Sequence, residues 1–346
     1  MRLDDDTLPD LARGCAILGA GGGGEIDLAL AMARHAVDQH GPVDVIGLDD
    51  VPDDALLMPC GLVGSPTIAA ERIPSGDEGL VLRAAVEARA GAPVAALMPY
   101  EIGGSNGLMP VVWAGRLGLP LVDADGMGRA FPSLAQLALE LSDVHVGSWA
   151  LTDGRGNVVA VDAADAVWAE RLVRGASTTL GGVCAAAPAG LTGAQARAGA
   201  IAGSVSRALA CGAAPDGTGR LLMEARVTEV ARRVDGMRVH GSATLHGTGP
   251  DAGRRARLEL QSEYLLALED GDVLAAVPDI IALLGAQSGA PVPAQRLHRG
   301  QRVRLIALEA PEIWRSARGL AAAGPRAYGL DVDHAPIAPE PVRVRR

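Results

Sequence analysis

Three carboxylates, an amide and a guanidinium crowd one stretch of this chain, residues 99–132, PYEIGGSNGLMPVVWAGRLGLPLVDADGMGRAFP. Two short apolar runs, 94–98 and 119–122, each lead into a glycine-broken turn. The first turn carries Glu101, Ser105 and Asn106, and the second carries Asp123, Asp125 and Arg129. Apolar runs that stop at such turns read as buried parallel strands, and in open α/β sheets ligands sit beyond the carboxyl ends of those strands. A carboxylate in a glycine-lined, partly desolvated niche suits proton transfer near neutral pH, which makes Glu101, Asp123 and Asp125 the candidate catalytic groups. Asp123 and Asp125 lie two apart, so on a strand continuation they face one side. With Glu101 they would offer oxygen ligands to a divalent metal ion, or form an acid–base pair. Arg129 reads as a bidentate clamp on a substrate carboxylate or as the partner of one of the acids. Asn106 reads as a substrate donor or as the N-cap of the next helix.

Two further segments offer binding groups. The run 19–24, GAGGGG, opens a helix with exposed backbone N–H groups, which suit an anion or a flat, carbonyl-rich ring. Gly21, Gly22 and Gly23 are its candidate binding residues. Its spacing matches a dinucleotide fingerprint, but that motif needs a preceding strand, and 8–18 has helical periodicity. A sharp helix–helix turn is the plainer alternative. Ser65 and Thr67 follow the apolar run 55–63 and face the same sheet edge, as substrate contacts or as a proline turn with a helix cap. All 31 basic residues are arginine, which excludes a lysine Schiff base and the P-loop lysine. Cys15, Cys60, Cys184 and Cys211 lack metal or redox spacing and read as buried thiols. The seven histidines show no HExxH pattern, and no GxSxG elbow is present.

These groups need a scaffold, and 346 residues with 49 % hydrophobic content can supply one large core or two. Strand-like runs at 43–48, 55–63, 94–98 and 119–122 alternate with helical patterns at 25–40, 79–90 and 107–117. That alternation predicts an α/β fold with an N-terminal three-layer α/β/α domain. Residues 144–151 and 157–161 flank TDGRG, a hairpin signal. Helical pattern returns at 163–174 and 192–211, where Thr192 and Gln195 hold capping-box positions. After 213–219 the pattern changes to short β-rich runs (221–234, 237–245, 257–260, 264–268 and 303–307). Turns such as Asp235-Gly236 and Asp270-Gly271 separate them. A smaller C-terminal β-rich domain, barrel or sandwich, is expected. The predicted division is 1–215 for the α/β domain, 216–337 for the β-rich domain and 338–346 for a tail. A net charge of −10 argues against a nucleic-acid surface. No apolar run reaches membrane-spanning length, and the start of the chain lacks a signal-peptide pattern, so a cytoplasmic protein without membrane contact is expected.

The chain resembles the S-methyl thiohydantoin desulfurase family, linked with hydantoin utilisation. The resemblance rests on ILGAGGGGE (17–25), GLVGSPT (61–67), the block 98–132, LLALEDGDVLAAVPDIIALL (265–284) and GPRAYGLDVD (324–333). It implies an N-terminal α/β/α domain, a smaller β-domain and hydrolytic loss of sulfur from C2 of a thiohydantoin. A hydrolase of cyclic ureides or thioureides is therefore the first expectation, acting on a small-molecule substrate as a homo-oligomer. The alternatives are a non-catalytic accessory subunit beside a hydantoinase/oxoprolinase-family partner, and a nucleotide-binding oxidoreductase.

Overall fold

The structure, a computed structural model, describes residues 1–215, 217–235 and 238–337. For Pro66, Thr67, Ala70, Val234, Asp235, Arg238 and Val239 only the backbone is described. The expected turn at Asp235-Gly236 and the expected tail at 338–346 thus lie outside the described residues. The chain divides into two compact units, Met1–Ala213 and Ala214–Arg346.

The N-terminal unit is built on one mixed sheet. Its strands are β1 (Arg2–Leu3), β2 (Val43–Ile46), β3 (Leu56–Gly64), β4 (Val94–Pro99), β5 (Leu121–Val122), β7 (Ser148–Thr152), β8 (Val158–Asp162) and β9 (Val183–Pro188), in the order β1-β2-β5-β4-β3-β9-β7-β8. β10 (Leu191–Thr192) joins β3, while β6 (Ala124–Asp125) pairs apart with β11 (Ile201–Ala202). The run β2-β5-β4-β3 is parallel. β3, β4 and β9 are buried almost end to end, as strands covered on both faces must be. Helices α1 (Leu8–Leu18), α2 (Ile26–His40), α4 (Glu78–Ala90) and α5 (Met109–Leu117) follow the expected periodicities closely, α7 (Ala166–Thr179) runs past the expected end at 174, and α3 (Pro66–Glu71) is an addition. α6 (Ala138–Leu141) is a single short turn.

One expected helix is corrected. Residues 192–211 form α8 (Gly193–Gly199), the short strand β11 and α9 (Ser204–Ala213). The predicted capping box does form, with Gln195 N donating to Thr192 Oγ1 and Thr192 N to Gln195 Oε1. The helix then stops at Gly199, because Ala200 turns extended and Ile201–Ala202 pair with Ala124–Asp125; Gly203, at φ +76° and with its N–H on Asp123 O, leads into α9. The strand β9 is an addition, since its sequence VCAAAP carries no strand alternation.

The C-terminal unit is a seven-stranded antiparallel sheet in the order β16-β15-β14-β13-β12-β18-β17. The strands are β12 (Arg220–Asp235), β13 (Arg238–Gly247), β14 (Arg255–Gln261), β15 (Glu263–Glu269), β16 (Asp272–Ala276), β17 (Ile280–Gly285) and β18 (Arg302–Leu308). β15 and β16 curl back toward β17, giving a half-barrel around Met223, Leu245, Leu258, Tyr264 and Leu305. β16 and β17 are additions to the expected strands. Buried His334 pairs with buried Asp279 at 2.9 Å, and Asp279 Oδ1 accepts from Ala310 N, so the segment around 334 is tied to β17. Among the described residues no helix is long and apolar enough to cross a membrane.

α1 and α9 pack with almost no gap. A Cβ on Gly14 would lie 1.7 Å from Ala208 O, and one on Gly212 would lie 1.7 Å from Asp10 O. Alanine gains about 1 kcal/mol of helix propensity over glycine, but overpacking against backbone costs about 1–3 kcal/mol and here admits no side-chain escape. Gly14→Ala is therefore expected to destabilise by roughly 2 kcal/mol, read as a lower urea midpoint at unchanged m-value.

Candidate active site

The parallel pairing of β3 and β4 sets Cys60 against Pro99, where β4 ends while β3 runs on to Gly64 against β9. Tyr100 N continues the ladder to Cys60 O, and Tyr100 O accepts from Gly126 N. Three carboxyl ends therefore meet around 60–64, 99–102 and 123–128. Buried Asn106, on a 3-10 turn (Gly104–Gly107) ahead of α5, joins them. Its Oδ1 accepts from Leu62 N at 2.7 Å. Its Nδ2 donates to Glu101 Oε1 at 2.5 Å and to Tyr100 Oη at 3.3 Å. The Tyr100 hydroxyl donates to Leu62 O. Gly61 permits this crowding, because a Cβ there would stand 2.8 Å from the Tyr100 ring and 3.0 Å from Asn106 Oδ1. Asn106 is thus neither a helix cap nor an idle donor; it holds a carboxylate against a strand end.

Glu101 is 5 % exposed, and its Oε2 accepts from Phe131 N at 3.2 Å. Burial, then the neighbouring Glu101 charge, push the Tyr100 phenol well above its usual range, so it remains a donor at any working pH.

Asp125 and Asp123 part company. Asp125 is fully buried, and its Oδ2 accepts from Ile102 N (2.8 Å), Met127 N (3.0 Å) and Gly128 N (2.7 Å). It knots the residue after Glu101 to the turn before Arg129. Its Oδ1 is buried without a hydrogen bond among the described residues, although the Ser204 hydroxyl stands near enough to favour the ionised form. Burial outweighs these donors and raises the Asp125 pKa from 3.8 to about 6. Asp123, by contrast, is spent on α9: Oδ1 accepts from Ser206 N at 2.9 Å and Oδ2 from Ser206 Oγ at 2.5 Å. The two aspartates do not share a face because the strand breaks between them. β5 ends at Val122 in the main sheet and β6 starts at Ala124 against β11. The expected three-acid cation site is not assembled. Among the described residues no three His, Cys, Asp or Glu side chains gather as one.

The glycine loop lies against the Glu101 turn. Ser105 N donates to Gly24 O and Ser105 Oγ to Gly23 O, while a Cβ on Gly23 would meet Gly103 O at 2.4 Å. Ala20, Gly21, Gly23 and Gly24 all have positive φ, a backbone path that glycine adopts at little steric cost. Gly22 N is spent on Gly19 O, so Gly22 is corrected as a binding donor. Among the described residues the N–H groups of Gly21, Gly23 and Gly24 meet no protein acceptor. The helix α1 precedes this loop, as expected, where a dinucleotide fold would place a strand.

Arg129 is fully buried, gives its Nε to Ala130 O at 2.8 Å and stacks 4.9 Å from the Phe131 ring centroid. It supports the segment that donates to Glu101 rather than reaching out as a substrate clamp. Ser65 starts α3 and gives its N–H to Gly182 O, with no hydrogen bond to the Glu101 cluster among the described residues. Thr67 lies in α3 by its backbone, and its side chain is outside the described residues. All four cysteines are buried, as expected, and burial holds the Cys184 thiol up at about 12. Tyr100, Gly61 and Phe131 escaped notice in the sequence. The one available signal was a tyrosine next to Glu101 in a chain with only 2 % aromatics.

An α/β unit with a buried acid–amide pair at its strand ends, followed by a β half-barrel, defines the class. The chain belongs to the S-Me-THD-like family: the model of the family's N-terminal domain matches residues 6–163, and that of its C-terminal domain matches 164–217 and 213–337. The crystal structure of a protein from Chromobacterium violaceum is similar over 98 % of this chain and 100 % of that chain, with a TM-score of 0.78 and 23 % identity. That likeness shows the fold alone. No curated protein matches.

The raised Asp125 pKa carries a stability prediction. Between 3.8 and about 6 the native state binds the proton that the unfolded chain has released, so this carboxyl's contribution is full below 3.8 and falls as pH rises to about 6. Asp125→Asn removes that slope. Relative to the natural protein, the variant should be more stable at pH 8 than at pH 4 by up to about 3 kcal/mol, from denaturant midpoints at both pH values.

Proposed function

We propose that this protein is a hydrolase that removes sulfur from C2 of an S-methyl thiohydantoin, releasing methanethiol and leaving the hydantoin. Membership of the S-Me-THD-like family supports the substrate class. The observation that carries the reaction is the Glu101–Asn106 pair, a near-buried carboxylate held by donors at the carboxyl ends of β3 and β4.

Glu101 takes a proton from water as the water oxygen attacks C2. Glu101 passes that proton to the ring nitrogen as the C2=N bond opens, and a tetrahedral centre forms. It collapses to C2=O as the C2–S bond breaks, and the second water proton leaves with methanethiol. Asn106 fixes the rotamer of Glu101, and Tyr100 fixes Asn106. The Gly21, Gly23 and Gly24 N–H groups suit the ring oxygens and the charge that builds on them. Asp125 acts as a positioning residue through Ile102 N, and Asp123 holds α9.

Glu101→Gln preserves size and the Asn106 contact but removes the proton acceptor. Its NH2 then faces Phe131 N, so it should keep the circular dichroism spectrum at a somewhat lower melting temperature while losing about 10²–10⁴ in methanethiol release from an S-methyl thiohydantoin. Unchanged release would remove Glu101 from the reaction. A natural protein inert toward every thiohydantoin and hydantoin tested, yet co-purifying with a hydantoinase-type subunit, would favour the accessory reading.

A further inference from the structure

We propose that β8 is the interface strand of a symmetric dimer, pairing antiparallel with β8 of a second copy so that two nine-stranded sheets run together. The two ends of this sheet are treated very differently. At one end stands β1, two residues long and flanked by the Arg2–Asp44 ion pair, a blunted edge. At the other end stands β8, five residues in unbroken register with β7, with no proline, bulge or basic residue between Val158 and Val161. Natural edges this long and plain pair with something.

The outward groups can be named. Ala163 N donates to Gly147 O, and the register then makes Val161–Trp149 and Val159–Leu151 the hydrogen-bonded pairs with β7. The N–H and C=O groups of Val158, Ala160 and Asp162 therefore point to the open edge, and all three residues are exposed. An antiparallel pair centred on Ala160 sets Val158 against Asp162 of the partner subunit and Ala160 against its own copy. Every one of these outward groups then finds a mate. Registers centred one residue to either side leave some unpaired.

Charge and apolar surface favour a second copy as the occupant. Antiparallel pairing brings the hairpin turn with exposed Arg155 to the far end of the other β8, where exposed Asp165 stands beside the Arg89–Asp162 ion pair. That gives an Arg–Asp attraction twice over by symmetry. α7 begins four residues after β8 ends, packs on β7 and β8, and exposes Val167 (56 %), Trp168 (49 %) and Leu172 (40 %). The other three of the four tryptophans are fully buried, whereas Trp168 is half-exposed with the Arg171 guanidinium 5.3 Å from its ring centroid, an arrangement common at interfaces. A strand pair alone falls short of the ~1,200 Å² typical of stable interfaces, and this stripe adds the apolar area it lacks.

The test uses cysteine placement, since the natural cysteines are all buried. In sedimentation the natural protein should be a dimer. With a short bismaleimide, Ala160→Cys should give a covalent dimer, because partners in such a pair stand about 5.5 Å apart between Cα atoms. Val158→Cys should not, since the two copies lie more than about 13 Å apart along the strands. Ala31→Cys on exposed α2 should not either. Ala160→Lys, which sets like charges face to face at an exposed position, should sediment as a monomer with an unchanged melting profile. A monomeric natural protein, a dimer untouched by Ala160→Lys, or equal cross-linking at all three cysteines would each overturn the proposal.

Discussion

One amide, that of Asn106, holds the end of β3, the phenol of Tyr100 and the carboxylate of Glu101 in a single network. A hydrogen bond to a charged group contributes about 1.5–3 kcal/mol, and an ordinary one about 1. The larger effect is the cost of leaving any of these groups unpaired, because all of them are out of water. Glu101 can sit buried only because Asn106 and Phe131 N supply donors. Asn106 can supply one only because Leu62 N fixes which way the amide points. Gly61 is part of the same constraint, since a side chain there would push the tyrosine and the amide off the strand end.

The parallel sheet makes this network cheap to build. Where β4 stops at Pro99, the turn that follows lies directly against the continuing β3, and the neighbouring turns compete for the same small volume. Glycine settles that competition. Gly23 and Gly103 touch backbone to backbone, which lets the 19–24 loop lie against the Glu101 turn with three N–H groups unspent. A run that looks like a phosphate fingerprint is thus explained by close approach of two loops, with ligand donors as a consequence.

Much of this was legible in the sequence, for physical reasons that can be named. Helices 8–18, 26–40 and 78–90 show in their apolar spacing, and β3 and β4 in continuous apolar runs, because each buries one stripe or both faces. Glu101 and Asn106 stood out because polar groups directly after a buried strand have few bland roles. β9 was not legible because VCAAAP packs by small size rather than β-branching. The break inside 192–211 depends on Ile201–Ala202 pairing with Ala124–Asp125 and on Gly203 N bonding Asp123 O, tertiary contacts that local pattern cannot reveal. Arg129 kept two readings in the sequence, substrate clamp or partner within the fold, because its burial and stacking on Phe131 are set by tertiary packing that local pattern does not carry.

The two carboxylates that stay near the strand ends divide the work by environment. Asp125 gathers three backbone donors on one oxygen and still has its pKa raised, since full burial outweighs those donors and the nearby Ser204 hydroxyl. A group so placed shapes the turn and cannot meet a substrate. Glu101 has a donor on each oxygen and keeps a slight exposure. Two acids a few residues from one turn thereby acquire different duties. Asp125 sets where the backbone after Glu101 goes, and that path in turn decides which way the Glu101 carboxylate faces.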